Sequence, residues 1–195
     1  MRLFVALDID APIRERIAEF RNRMRLLAPG VRWVQPETFH ITLQFLGETS
    51  RVAEIKQALG KVVANATTVS FRNTGFFPNP RTPRVFWVGI EADENLPILA
   101  AGIGMALEPL GVERETGDYK PHLTLARLGS GRPTTRPGGR MALALQAVRA
   151  ELEHIPPPDF GGMTAREFFL YESKLSPAGA RYSKLARYGL ENAHS

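Results

Sequence analysis

Hydrophobic residues along the chain follow two spacings, one typical of strands and the other typical of helices. Short apolar runs at 2–6 and 84–88, each bounded by polar or turn residues, predict strands. An acidic turn follows each run, and the segments behind these turns, 13–27 and about 96–110, carry apolar residues at helical spacing. We therefore predict two copies of a strand followed by an amphipathic helix, with a glycine near the end of each helix.

A second pair of strands repeats one short pattern, which reads FHITL at 39–43 and PHLTL at 121–125. Each histidine lies 38 residues after the arginine that opens the preceding strand, so both copies keep the same offset. Further helices are predicted at 51–64 and 140–154, and further strands at 69–77 and 168–175. This repetition predicts an α+β fold with a bilobal internal duplication, a single domain over 1–195 whose repeat-like halves are about 1–82 and 83–190.

The repeated pattern places its polar residues on one face of each strand. Because residues i and i+2 of a strand share a face, His40 and Thr42 point one way while their apolar neighbours point into a core. His122 and Thr124 do the same in the second copy. If a pseudo-two-fold axis relates the two halves, both polar faces line one groove with two imidazoles and two hydroxyls.

Such a groove suits displacement at phosphorus, which needs a base on one side and an acid on the other. Imidazole, with an ordinary pKa of about 6.5, can give or accept a proton near neutrality. Thr42 and Thr124 are candidate donors to phosphate oxygens, and Arg127 is a candidate phosphate-binding cation. A lone His-x-Thr is usually structural, but two copies at the same place in a repeat favour a functional pair, His40 and His122.

Other aromatic and histidine residues are assigned by their context. Phe45 and Tyr119 lie beside the motifs and are candidates for base stacking. Three other aromatic residues are expected in the core, namely Phe76, Phe77 and Trp87. Two histidines lie outside any His-x-Thr motif and are expected to have no catalytic role, namely His154 and His194.

Composition and charge narrow the kinds of chemistry and partner. The 195 residues include no cysteine, which excludes disulfides, thiolate metal sites and cysteine nucleophiles. The formal net charge is +5, which favours a polyanionic partner. Several arginines lie in segments rich in proline, glycine or threonine, an arrangement compatible with a nucleotide or nucleic-acid substrate; these are Arg81, Arg84, Arg132, Arg136 and Arg140.

Several other classes of site and location are disfavoured by the sequence. No stretch reaches the about 20 apolar residues of a membrane span, and the first apolar run is too short for a signal peptide, so we expect a cytoplasmic protein. The pair Gly102 and Gly104 lacks the context of a dinucleotide loop. Two histidines on separate strands without a carboxylate cluster make a poor metal site.

The chain resembles the 2H phosphoesterase superfamily, which is named for two His-x-(Thr/Ser) motifs. More narrowly, it is similar to the RNA 2′,3′-cyclic phosphodiesterases, also called 2′–5′ RNA ligases. The similarity extends over nearly the whole chain and includes residues 2–7, 39–47, 75–78, 83–89, 119–127 and 170–175.

The resemblance implies two antiparallel sheets that line a central cleft, with helices on the outside. It implies no metal, and hydrolysis of RNA 2′,3′-cyclic phosphate ends to 2′-phosphomonoesters. We also expect no other cofactor, a monomer and no membrane partner. His122 would be the proton acceptor that activates water, and His40 the proton donor to the 3′ oxygen. Relatives also join RNA ends through a 2′–5′ bond. The residues alone leave the two histidine roles open, because the repeat makes them nearly equivalent.

Two alternatives stay open at the level of sequence. One is a 2H phosphodiesterase that acts on a small cyclic nucleotide or an ADP-ribose cyclic phosphate. The other is a non-catalytic module that binds RNA ends. The length dependence of turnover would identify the first, and unchanged turnover after loss of His40 would identify the second.

Overall fold

The fold was obtained as a computed structural model, which describes residues 1–113, 119–128, 140–176 and 179–192, with only the backbone of 140–144. Its strands and helices follow in this order: β1 Arg2–Leu7, α1 Ala11–Leu27, β2 Arg32–Trp33, β3 Ile41–Glu48, α2 Val52–Leu59, β4 Thr67–Phe77, β5 Val85–Ala92, α3 Asn95–Leu107, β6 His122–Arg127, α4 Arg140–Leu152, β7 Asp159–Ala165, β8 Glu167–Ser176 and β9 Gly179–Gly189. Short 3₁₀ turns cover Pro36–Thr38 and Glu108–Leu110.

The strands form two sheets in which every pairing between strands is antiparallel. The first sheet has the order β3-β1-β8-β9, and the second has the order β2-β6-β5-β4-β7. The predicted α+β class with two antiparallel sheets is therefore confirmed. Each sheet contains strands from both repeat-like halves, because β8 joins β1 and β4 joins β5.

The predicted helices and strands are present, with differences at their ends. Helix α2 stops at Leu59, before the predicted 64. Helix α1 ends at Leu27 with Ala28 as its cap, so Gly30 is not the terminating residue. Gly111 does end the 3₁₀ turn that follows α3, since it adopts a left-handed conformation with φ 78°.

Strands β2, β7 and β9 were not predicted, and the sequences of the two longer ones explain why. Strand β7 contains Gly161 and Gly162, and glycine weakens the strand pattern. Gly162 nevertheless lies against the backbone of β4, where an added Cβ would be 3.0 Å from the Val69 carbonyl oxygen. Strand β9 lies at the edge of its sheet and is mostly exposed, so no alternation of apolar residues marks it.

Strand β1 is buried on both faces, because each face packs against a different hydrophobic cluster. Leu3, Val5 and Leu7 belong to the large core that contains residues of α1, α2, α3 and both sheets. The alternate residues Phe4 and Ala6 belong to a separate small cluster with two aromatic residues of β8 and one of β9, namely Phe169, Tyr171 and Tyr182. We call this the aromatic cluster; it covers the face of the first sheet that is turned away from the large core.

Candidate active site

The first His-x-Thr motif has the two faces predicted from its sequence. Phe39, Ile41 and Leu43 are buried, with 4%, 0% and 3% of their surfaces exposed. His40, immediately before β3, and Thr42 are only partly buried. Because the apolar side chains anchor the strand in the large core, the imidazole and the hydroxyl are kept on the opposite face.

The second motif, at the start of β6, has the same arrangement. Leu123 and Leu125 are fully buried, whereas His122 and Thr124 are partly buried. In the sheet His122 lies opposite Gly89, and Thr124 lies opposite Trp87. The two motifs therefore present the same side chains from different sheets.

Both imidazoles are held by a backbone carbonyl two residues earlier in the chain. His40 Nδ1 lies 2.7 Å from the Thr38 carbonyl oxygen, and His122 Nδ1 lies 2.9 Å from the Lys120 carbonyl oxygen. A carbonyl oxygen can only accept, so Nδ1 must carry the proton in both rings. Each ring is thereby left with Nε2 as the nitrogen that gains or loses a proton.

The two histidines differ in their aromatic neighbours. The His40 ring lies 4.9 Å from the Phe4 ring and meets the Tyr182 ring edge-on at 5.3 Å, measured between ring centroids. His122 meets the ring of Phe77 edge-on at 5.0 Å. Phe77 and Trp87 are partly buried on this face, so of the three aromatic residues expected in the core only Phe76 is buried there.

Burial lowers the pKa of His40, because desolvation disfavours the charged imidazolium. The hydrogen bond to the Thr38 carbonyl opposes this effect, and the positive charge of Arg127 lowers the pKa further. Asp8 raises it and His122 lowers it, both by smaller amounts. Since Arg127 and His122 belong to the second sheet, the functional groups of the two sheets are close enough to influence one another.

Arg127 links the predicted phosphate-binding groups. Its Nη2 donates a hydrogen bond to the Thr124 hydroxyl oxygen at 3.2 Å. Its charge also acts on Tyr182 of the first sheet. The structure thus brings together four predicted residues, His40, His122, Thr124 and Arg127, around one region of the cleft.

The two candidates for base stacking have different surroundings. The hydroxyl of Tyr119 donates to the Thr42 carbonyl oxygen at 2.9 Å and so ties the segment before His122 to the first motif. Phe45 is 52% exposed, and its ring centroid lies 6.3 Å from that of Phe4. A contact of either ring with a base stays a prediction.

The other predicted basic residues and histidines lie outside this region or outside the described residues. Arg81 and Arg84 are exposed in the loop between β4 and β5. His154 is exposed at the end of α4, where its Nδ1 contacts the Ala150 carbonyl oxygen at 2.7 Å. Four further predictions concern residues or side chains that the structure does not describe, namely Arg132, Arg136, His194 and the side chain of Arg140.

A polar network beside His40 was not predicted from the sequence. The Tyr171 hydroxyl donates to Asp8, whose carboxylate also pairs with Lys184. The Lys184 ammonium lies 3.9 Å from the centroid of the Phe169 ring. Asp8, Tyr171 and Lys184 line a groove of about 950 Å³ that His40 also lines. No local pattern could have revealed the network, because its members come from the end of β1 and from β8 and β9.

Within the described ranges, no three histidine, aspartate or glutamate side chains are grouped so that they could hold a metal ion. In the same part of the chain, no helix is long and apolar enough to cross a membrane.

Comparisons with known proteins give one consistent family. Residues 7–87 match the family described as LigT like Phosphoesterase. The RNA 2′,3′-cyclic phosphodiesterase of Archaeoglobus fulgidus is 36% identical over 187 residues, covering 95% of this chain and 98% of that protein. The protein of the same name from Thermus thermophilus is 31% identical over 205 residues, covering 100% of this chain and 92% of that protein.

Solved structures agree with the sequence matches. A crystal structure of a Thermus thermophilus protein is similar with a TM-score of 0.76 and 30% identity, covering all of both chains. The crystal structure of E. coli LigT complexed with 3′-AMP gives a TM-score of 0.73 and 29% identity over 97% of each chain.

Proposed function

This chain belongs to the LigT-like phosphoesterase family and is a cyclic phosphodiesterase, and from that premise we propose that it hydrolyses RNA 2′,3′-cyclic phosphate ends to 2′-phosphomonoesters. The observation that carries the proposal is the matched anchoring of two imidazoles. His40 and His122 each bind a backbone carbonyl through Nδ1, which leaves two Nε2 atoms from different sheets for proton transfer.

The proposed reaction is an in-line displacement at phosphorus. His122 Nε2 accepts a proton from water as the water oxygen bonds to phosphorus. The bond from phosphorus to the 3′ oxygen breaks on the opposite side, and His40 Nε2 gives its proton to that oxygen. Each transfer by a well-placed group contributes about 10²–10⁴ in rate. The product keeps its phosphate on the 2′ oxygen.

In the proposal, the environment of His40 makes its protonation depend on the bound phosphate. Burial and Arg127 lower its pKa, so the imidazolium is a stronger acid than an exposed one. The anionic cyclic phosphate would offset the charge of Arg127 and favour protonation of His40 in the complex. The family resemblance assigns the same direction of proton transfer.

Three further side chains are proposed to hold the phosphate. Thr42 and Thr124 share the cleft-facing side of their strands with the histidines, and their hydroxyls can donate to non-bridging oxygens. Arg127 supplies a cation beside Thr124. Negative charge grows on the non-bridging oxygens during attack, so these donors act more strongly in the transition state than in the ground state.

We propose an RNA end as the substrate, bound by a monomer that needs no metal. The net charge of +5 favours a polyanion, and both histidines and Arg127 come from one chain, so one copy supplies all the groups that the mechanism uses. The same groups can join RNA ends when a 5′-hydroxyl takes the place of water, which gives a 2′–5′ bond. A small cyclic nucleotide as the substrate is the alternative.

The test is product analysis after incubation with a 2′,3′-cyclic mononucleotide in excess EDTA. We expect the 2′-monophosphate as the product of the wild-type protein. His40→Ala and His122→Ala should each lower kcat by about 10²–10⁴, while the matched variant His154→Ala keeps wild-type turnover. Loss of activity in EDTA that one divalent ion restores, or a folded His122→Ala protein with near wild-type turnover, would contradict the mechanism.

The same assay on longer substrates separates the alternatives. If the substrate is an RNA end, an oligonucleotide with a terminal cyclic phosphate should give a higher kcat/KM than the mononucleotide. Equal values would favour a small cyclic nucleotide, and binding without turnover would favour an RNA-end binding module.

A further inference from the structure

Tyr182 lies beside His40 although 142 residues separate them in the sequence. Its ring meets the His40 ring edge-on, with centroids 5.3 Å apart and an interplanar angle of 85°. It also meets Phe4 edge-on at 4.9 Å and 71°. Tyr182 is partly buried on β9 and lines the same groove as His40. The tyrosine therefore belongs to the immediate surroundings of the proposed acid.

The hydroxyl of Tyr182 differs from those of the other three tyrosines. Tyr119 donates to the Thr42 carbonyl oxygen, Tyr171 to Asp8, and Tyr188 to the Lys56 carbonyl oxygen. Within the described residues, the Tyr182 hydroxyl has no protein acceptor, and it is not among their buried groups without a partner. It is therefore a donor that remains accessible to a ligand.

Two cations act on this hydroxyl. Burial raises the pKa of Tyr182, while Arg127 and Arg2 lower it by smaller amounts, so the phenol keeps its proton near neutrality. A neutral O–H donor under the influence of two guanidinium groups is suited to an anionic oxygen. Arg127 is also the proposed phosphate-binding cation, so the hydroxyl and that cation converge on one region of the cleft.

We propose that Tyr182 contacts the substrate and donates a hydrogen bond to one non-bridging oxygen of the cyclic phosphate. This inference rests on the proposed function and adds a second donor from the first sheet, besides Thr42, to Arg127 and Thr124 of the second. In this proposal Tyr182 only donates a hydrogen bond, and its O–H bond stays intact throughout the reaction. Its bond strengthens as charge grows on the phosphate oxygens during attack.

The first test is Tyr182→Phe, which keeps the ring against His40 and Phe4 and removes only the hydroxyl. We expect kcat/KM for a 2′,3′-cyclic mononucleotide to fall about 10- to 100-fold. The matched control is Tyr188→Phe near the other end of β9, which removes a hydroxyl bound to the Lys56 carbonyl oxygen and should keep wild-type kcat/KM. Circular dichroism checks that both variants are folded.

The second test separates contact with phosphate from a structural role. The two diastereomers of a 2′,3′-cyclic phosphorothioate replace one or the other non-bridging oxygen with sulfur, a weak acceptor. The wild-type protein should be slowed unequally by the two. Tyr182→Phe should change this inequality, because sulfur at the oxygen that Tyr182 contacts no longer removes a hydrogen bond, whereas the contacts of Thr42, Thr124 and Arg127 remain. Wild-type kcat/KM in Tyr182→Phe, or the same inequality in both proteins, would overturn the inference. If wild-type protein leaves every cyclic phosphate intact, the proposed function fails and this contact fails with it.

Discussion

His40 and His122 are held by the same kind of hydrogen bond, but their other neighbours differ. Both rings bind a carbonyl two residues earlier, which fixes the proton on Nδ1. Phe4 and Tyr182 contact His40, and Phe77 contacts His122. Two histidines that the sequence repeat makes nearly equivalent thus have separate environments, and in the proposed mechanism these environments distinguish the acid from the base.

The lowered pKa of His40 gives a prediction for the free protein. Because desolvation and Arg127 favour the neutral ring, the proton should leave at a pH below the ordinary value of about 6.5. Removing the charge in Arg127→Gln should raise the pKa of His40, whereas Arg25→Gln on α1 should leave it unchanged. Inorganic phosphate bound in the cleft should also raise the pKa of His40, because a nearby anion favours the charged imidazolium. NMR titration of the imidazole nitrogens measures each value.

A His40 ring that titrates at or above about 6.5 in the free protein would show that its surroundings do not disfavour the charged form. An Arg127→Gln protein in which His40 titrates at a lower pH than in the wild type would show that Arg127 does not act on the ring as described.

The sequence identified the motif residues but not their partners. Side chains alternate between the two faces of a strand, and this is a local rule. The five residues 39–43 were therefore enough to predict which face His40 and Thr42 share. Tyr182 and Asp8 reach His40 through sheet pairing, which joins β1 to β8 and β8 to β9. No spacing in the sequence encodes that contact.

At the level of elements, β5, which pairs with the strand of the second motif, depends on a close approach of its backbone to β4. Gly89 of β5 lies opposite His122 of β6. An added Cβ at Gly89 would be 2.5 Å from the Arg72 carbonyl oxygen of β4, a contact that real Cβ atoms do not make. Strand β4 would have to move away from β5 to admit any side chain at this position.

We therefore expect Gly89→Ala to lower the free energy of unfolding by about 1–3 kcal/mol. Turnover should fall too, because His122 lies on the neighbouring strand. The control is Gly30→Ala, where no atom lies within 4 Å of an added Cβ and the change should stay within about 0.5 kcal/mol. Urea unfolding measures both free energies. Equal stabilities of the two variants would show that an added Cβ at Gly89 does not disturb the packing of β4 against β5.

The elements that were predicted are those with strong local periodicity. Helices α1 and α3 bury regularly spaced residues, β1 and β8 contain apolar runs, and β4 begins with an alternation of buried and less buried residues. Strands β7 and β9 lack such a pattern because one contains paired glycines and the other is an exposed edge. Tertiary pairing, rather than local preference, makes them strands.

At the level of the whole molecule, strands from the two predicted halves are interleaved. The first half contributes β4 to the sheet of His122, and the second half contributes β8 and β9 to the sheet of His40. The repeat could be read from the sequence, but the exchange of strands could not, because it depends on which edge each strand pairs with. His122 lies on the second sheet and His40 directly precedes β3 of the first, and the proposed mechanism uses them on opposite sides of one phosphate.

In the proposed mechanism His40 protonates the leaving 3′ oxygen while His122 activates water. A cyclic substrate whose 3′ oxygen is replaced by sulfur separates these two roles. A thiol has a pKa of about 8.5, so sulfur can leave as a thiolate without a proton from the protein. The measurement is single-turnover opening of the oxygen and sulfur substrates by wild type, His40→Ala and His122→Ala.

We predict that the defect of His40→Ala, about 10²–10⁴ on the oxygen substrate, largely disappears on the sulfur substrate. His122→Ala should stay defective on both substrates, because water must still lose a proton. A His40→Ala protein that is equally slow on both, or a rescue of His122→Ala instead, would contradict the assigned acid and base.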